Sequence, residues 1–200
     1  MSIPSKHRPR TKPAEERRED LMNAAEILFL DKGIAPTTVE QITAGADVAK
    51  GTFYLHFSSK EDVHAALGQR FVRMFVADLE KALARASDAG WNDRLAVWVK
   101  TAASGFLNKG PLVDMLFHAH PRPPEGEANP ITDHLRALLE AGQHAGAWSL
   151  DDPQFTAVFL FGGLHGAVDD VLLGRKRVGL ARMILRLQRH FSRGVGLPEA

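Results

Sequence analysis

The residues whose chemistry is easiest to state lie close together between Thr37 and Lys60. Thr38, Lys50, Thr52, Tyr54, His56 and Lys60 offer hydroxyl, ammonium and imidazole donors in one short stretch, and such donors suit anionic oxygens and the acceptor atoms on base edges. Other constellations are weaker. His118 and His120 flank an alanine as a metal-binding pair would, but Pro121 bends the chain there and the sequence contains no cysteine. Asp151-Asp152 and Asp169-Asp170 invite an acid and base reading. The first pair precedes Pro153 as a helix start does, and the second occupies adjacent helical positions that diverge by about 100°. No phosphate-binding glycine loop, dinucleotide fingerprint, nucleophile elbow or zinc motif is present. The expectation is a protein with no catalytic residue, no metal and no cofactor, and an all-helical enzyme is the weaker rival.

The elements that must position those donors read as helices throughout, so the expected fold class is all-α. A first helix over Ala14 to Lys32 puts Leu21, Ala25 and Leu28 on one face, widened by Ile27 and Phe29, and Gly33 follows as its C-terminal cap. Thr37 with Glu40 has the spacing of a capping box that opens a second helix, on which Val39, Ile42 and Ala46 face inward. After a break near Asp47, a short helix runs from Ala49 to Leu55. Ser58 with Glu61 gives a second capping-box spacing, opening a long helix to Arg85. Further helices are expected at about Trp91 to Phe106, Pro111 to His118, Ile131 to Ala145, Pro153 to Leu173 and Val178 to Ser192. The proline-rich run from His120 to Pro130 reads as a long loop.

Two short helices braced by a preceding one form a helix-turn-helix, whose second helix enters the major groove of double-stranded DNA. If Val48, Phe53 and Phe57 are buried, then Ala49, Lys50, Thr52, Tyr54 and His56 face outward around Gly51, which lets the backbone approach a duplex closely. That face holds no Arg, Asn or Gln, so Lys50 to a guanine edge, with Thr52 and the Ala49 methyl near thymine methyls, carries the expected base reading. A net charge of +1 hides an uneven distribution. Residues 1–14 hold four Lys or Arg and no acid, whereas residues 1–60 hold nine basic and eight acidic side chains. The basic signal is an arm over residues 1–13, in which Arg8 and Arg10 are placed to reach a minor groove. It lacks the apolar region of a signal peptide, and the most apolar stretch, Phe155 to Val168, has 14 residues against the ~20 of a membrane span, so no membrane and a cytoplasmic setting are expected.

The same residues resemble the TetR family of bacterial transcriptional regulators. The resemblance rests on Thr37-Thr38-Val39, Ile42, the run Ala46-Asp47-Val48-Ala49-Lys50-Gly51-Thr52-Phe53-Tyr54, the pair His56-Phe57, and Lys60-Glu61. It covers about residues 14–62. It implies a helix-turn-helix domain at 14–60 and an effector-binding and dimerisation domain at 61–200. It further implies a homodimer on a palindromic operator, acting as a repressor released by a small apolar or amphipathic effector; the alternative is a DNA-binding protein without small-molecule control. By the same resemblance Thr38, Tyr54, His56 and Lys60 contact phosphates. Asp47 stands where the family usually has glycine, a position that Asp tolerates. Ala49 replaces the usual serine cap of the recognition helix, a loss of ~1 kcal/mol.

In the second half, Trp98, Phe106, Met115, Phe117 and Trp148 supply apolar surface, and His118, His144 and His165 polar handles, for an effector. Two apolar strips read as a dimer interface: Phe155, Phe159, Gly162 and Gly166 on one helix, and Leu180, Ile184, Leu187 and Phe191 on the next. Arg182, Arg186, Arg189 and Arg193 form a solvated stripe opposite the second strip.

Overall fold

The structure is a computed structural model that describes residues 12–117, 129–174 and 179–197. The arm residues Arg8 and Arg10, the His118/His120 pair and most of the proline-rich run lie outside the described residues. Among the described residues the chain forms nine helices and no strand. They are α1 (Ala14–Lys32), α2 (Val39–Gly45), α3 (Lys50–Tyr54), α4 (Lys60–Arg85), α5 (Trp91–Asn108), α6 (Gly110–Phe117), α7 (Pro130–His144), α8 (Pro153–Leu172) and α9 (Leu180–Gly194). Two compact units divide between Gly68 and Gln69, inside α4 rather than at its start. The first two turns of α4 bury Val63, Ala66 and Leu67 and set His64 against Phe29 of α1, with ring centroids 6.5 Å apart.

In the first unit, α1 ends where the periodicity says it must. Gly33 has φ +85, a backbone conformation that side chains disfavour, and its N–H donates to the Phe29 carbonyl at 3.0 Å. Leu21, Met22, Ala25, Phe29, Ile34, Ile42, Phe53, Phe57 and Leu67 form the core. Ile27 corrects the sequence reading: it is 69% exposed, because the buried stripe of α1 runs through Met22, Ala25 and Phe29 and leaves it on the outer side. The first capping box is also shifted by one residue. Thr38, not Thr37, caps α2, accepting from Gln41 N–H at 3.3 Å while the Gln41 side chain accepts from Thr38 N–H at 3.0 Å. Thr37 is buried and donates its hydroxyl to the Gly33 carbonyl at 2.7 Å. The second box moves likewise. Ser59 accepts from Asp62 N–H at 3.1 Å, and the Asp62 carboxylate accepts from Ser58 N–H at 3.0 Å, so Glu61 takes no part in it.

In the second unit, α9 lies mainly against α5 and α8 mainly against α7. This overturns part of the expected interface. Ile184, Leu187 and Phe191 are buried within the chain, and Phe191 stacks on Trp98 of α5 with centroids 6.0 Å apart. The strip of α9 is apolar because α5 needs it. α8 starts as the Asp151-Asp152-Pro153 run indicates, with the Asp152 carboxylate accepting from Phe155 N–H at 2.9 Å. At 20 residues α8 is longer than the stretch singled out in the sequence, and it is long and apolar enough to cross a membrane by length and composition. One side of it, Ala157, Leu160, Leu164 and Val168, is buried in the unit.

Two tryptophans are fixed by specific bonds. Trp98 Nε1–H donates to His134 Nδ1 at 3.0 Å, and Trp148 Nε1–H donates to the Leu139 carbonyl at 2.8 Å. The Trp148 ring lies so close over Gly142 that a Cβ there would come 2.0 Å from a ring carbon. Gly142→Ala is therefore expected to destabilise the unit by about 1–3 kcal/mol, as overpacked sites do, read as a lower denaturant midpoint. His134 generates a pH dependence. Burial pushes its pKa below the ordinary imidazole value, against an opposing pull from Glu80. Its Nδ1 must stay unprotonated to accept from Trp98. As pH falls below ~6.5 the unfolded chain binds a proton that the folded one refuses, so stability declines with acidification. Urea midpoints at pH 7, 6 and 5 should show that decline, and His134→Gln should flatten it; an equal decline in the variant would refute the assignment.

Candidate nucleic-acid interface

α3 is held from beneath by aromatic packing. Phe53 and Phe57 are buried with centroids 5.9 Å apart, and the Arg18 guanidinium of α1 lies 5.1 Å from the Phe57 ring. Asp47 makes the turn from α2, and its φ of +52 is the single positive value outside glycine among the described residues. Its N–H donates to the Ala44 carbonyl and the next one, from Val48, to Thr43. The opposite side of α3 is the exposed one. Ala49, Lys50, Gly51 and Tyr54 are exposed, and Thr52 and His56 are half-buried. Val48, expected inside, is half-buried too.

Ala49 precedes the first turn of α3 with extended backbone and makes no side-chain cap; only its carbonyl is engaged, accepting from Thr52 N–H at 2.8 Å. A Cβ built on Gly51 meets nothing within 4 Å. Nothing inside the chain requires glycine there. Thr38 is exposed at the start of α2 and its hydroxyl is already spent on the cap. Sequence reasoning missed Leu55, which is 79% exposed beside Tyr54. It also missed the partner of Lys50: the ammonium sits 2.6 Å from the Glu40 carboxylate.

Lys60 is the clear correction. Its ammonium donates to three carbonyls, those of Ile34 at 2.8 Å, Ala35 at 2.7 Å and Thr37 at 3.1 Å. An ammonium has three protons, and these bonds take all of them. The residue ties the α1–α2 connection to the first turn of α4 and has no donor left for a phosphate.

The residues expected around an effector do not form one group. Phe106 and His165 come together, 5.5 Å between centroids, in a cluster with Phe71, Phe75 and Phe161. Phe117 joins it through Phe71 at 5.6 Å, and the Lys109 ammonium lies 5.6 Å from that same ring. His165 Nδ1 is 3.1 Å from the Asp169 carboxylate one turn on. Trp98 packs instead against Phe191, and Trp148 against Trp91 at 6.2 Å, both as core. Met115 is buried on α6, and His144 Nδ1 lies 2.7 Å from the Glu140 carbonyl. Among the described residues no three His, Asp or Glu side chains gather as a metal site would require.

With this geometry in place the comparison with known proteins is decisive for the first unit. The family described as bacterial regulatory proteins, tetR family, matches residues 21–67. Residues 21–67 are thus similar to the DNA-binding domain of the TetR family. The activator FasR of Mycolicibacterium smegmatis is 36% identical over 85 residues, 42% of this chain and 39% of FasR. The repressor DhaR of a Mycobacterium species is 38% identical over 66 residues, 33% of this chain and 31% of DhaR. The chain thus matches less than half the length of these curated relatives. The likeness in fold extends further: the structure of the regulator FadR from Bacillus subtilis in complex with stearoyl-CoA superposes with a TM-score of 0.70 at 19% identity, covering 88% of this chain and 98% of that one.

Lys60→Ala should lower the stability of this domain by about 1–3 kcal/mol, since three carbonyls lose a charged donor. It should leave the salt dependence of DNA binding unchanged under conditions where the domain is folded. A fall of roughly one in the logarithmic salt slope with an unaltered melting temperature would restore the phosphate role.

Proposed function

We propose that the chain is a sequence-specific DNA-binding transcription regulator that acts in the cytoplasm as a homodimer on a palindromic operator and leaves it when a small effector binds. The observation that carries this reading is the outer face of α3, where Lys50, Thr52 and Tyr54 surround a glycine that nothing in the chain needs. Lys50 and Thr52, with the Ala49 methyl, read base edges. Tyr54 and His56 hold phosphates and fix register, and Leu55 adds an apolar contact beside them. Lys60 acts behind this surface. The enzyme reading loses its carboxylates to structural duties, Asp152 as a helix cap and Asp169 as the partner of His165.

The proposed dimer contact is the outer face of α8. Phe155 and Phe159 are 67% and 70% exposed, and Gly162, Gly163 and Gly166 continue the face with nothing within reach of an added Cβ. Leu180 and Leu185 of α9 are exposed as well. A face this apolar is costly in water and favours a second copy. Two recognition helices must then stand about 35 Å apart, one turn of B-DNA.

For the effector, the Phe71, Phe75, Phe106 and Phe117 cluster with Lys109 at its side favours an apolar chain ending in an anionic group. The neighbour that holds stearoyl-CoA gives this chemistry a precedent on the same fold. α4 carries Phe71 and Phe75 and is continuous from Lys60, so displacement of those rings has a mechanical route to the DNA-binding unit.

Selection from randomised duplexes with the whole chain tests the function directly and should yield a palindromic site. An absence of any enriched sequence would refute it. Phe159→Glu should give a monomer by light scattering and weaken operator binding by roughly a hundredfold or more, because the two half-sites are then engaged independently. A dimer that persists in that variant would move the interface elsewhere.

A further inference from the structure

Glu40 is an acidic side chain where a DNA-facing surface should have none. It projects from the first turn of α2, and its carboxylate lies 2.6 Å from the Lys50 ammonium of α3, so the pair bridges the two helices of the helix-turn-helix. The capping box of α2 is closed by Thr38 and Gln41 alone, so Glu40, which also bonds its own backbone N–H and the Thr38 side chain, is not needed to complete it. Stability does not explain it either, since both side chains are more than half exposed, at 61% and 57%, and exposed ion pairs contribute little. Lys50 and a backbone N–H hold the Glu40 carboxyl below its ordinary pKa, so it stays ionised and can only accept. Beside phosphates such a group repels. It is tolerable only where the DNA presents donors, on the floor of the major groove.

Resting on the reading of the first unit as a DNA-binding domain, we infer that Glu40 and Lys50 act together as one base-reading unit whose target is a single G·C pair. In that pair guanine O6 accepts and cytosine N4–H donates, and the two atoms are hydrogen-bonded neighbours about 2.9 Å apart. The ammonium and carboxylate present the complementary signs at nearly the same separation. Lys50 donates one proton to Glu40 and keeps two for O6 and N7 of guanine, while a free lone pair of Glu40 takes the cytosine amine. An A·T pair with adenine in guanine's place puts its N6 amine against the ammonium and thymine O4 against the carboxylate, so donor faces donor and acceptor faces acceptor. The reversed T·A pair keeps the O4 acceptor and N6 donor in register and lacks only the N7 acceptor for the second Lys50 proton. Glu40 thus supplies discrimination that Lys50, a point charge able to seek any acceptor, does not provide alone.

The test is randomised-duplex selection with the wild-type chain, Glu40→Ala, Glu40→Gln and Lys50→Ala. The wild type is expected to fix one G·C pair in each half-site with a preference of roughly tenfold or more over A·T. Glu40→Ala should reduce that preference to about threefold or less at this pair alone. Glu40→Gln should move it toward the reversed T·A pair, with adenine in cytosine's place, since an amide bonds adenine N6 and N7 together. Lys50→Ala should lose the same position. An unchanged consensus in Glu40→Ala, with the protein folded by its melting curve, overturns the inference and leaves the pair a surface contact. A wild type that selects no sequence at all refutes the function instead, so the two failures are distinguishable.

Discussion

Three carbonyls on one ammonium hold the first unit together. The chain leaves α1 at Gly33 and reverses through Ile34, Ala35 and Thr37 before α2 begins, and the carbonyls of that reversal have no helix to bond. The Ile34 carbonyl also accepts from Thr37 N–H at 3.2 Å, and loss of Lys60 would take a charged donor from all three. Lys60 satisfies all three from the first turn of α4, fixing the start of α4 against the end of α1. The placement of α2 follows from this, since Thr38, its cap, directly follows the last of those carbonyls. α3 then follows from α2 through the Asp47 turn.

The outer face of the domain is what remains after these internal demands are met. Thr37 is spent on Gly33, Gln41 and Thr38 on each other, Phe53 and Phe57 on the core and on Arg18. The side chains left facing outward are those of Tyr54, whose ring also meets Phe53 edge-on, Leu55, and the Lys50–Glu40 pair. A recognition surface is expected to look like this: polar groups held in place but not consumed. Lys60 shows the opposite case, a donor in the family's motif that is fully consumed.

The helices were legible because buried stripes recur with helical spacing, and α1 and α8 start where Ala14 and Pro153 indicate. Caps were off by one residue for a physical reason. Thr37-Thr38 and Ser58-Ser59 each offer two hydroxyls of equal capping chemistry; in the first pair the core buries Thr37 and leaves the cap to Thr38, while in the second Ser59 takes it. The residue three positions on then decides nothing by itself, since Glu40 and Gln41 both satisfy the pattern. Exposed pairs such as Lys50–Glu40 leave no periodic trace. Apolar strips were legible too, but not their partners: one strip of α9 serves equally well against a neighbouring helix or a second chain, and only packing shows that α5 takes it.

That difference sharpens what α8 must do. Its inner residues Ala157, Leu160, Leu164 and Val168 repeat every three or four positions and are buried, while Phe155, Val158 and Phe159 lie between them and stay exposed. A helix immersed in lipid would need apolar side chains all round. α8 instead has one side packed on α7 and ends in Asp169 and Asp170, with His165 paired to Asp169 on the way. Only half of its circumference lacks a cover, and that half pairs bulky rings with bare glycines. In the proposed dimer, rings seated over glycines on an antiparallel copy would satisfy both features at once, because a two-fold axis would bring the Phe155–Phe159 end of one helix to the Gly162–Gly166 end of the other. Neither a bilayer nor water supplies that complementarity.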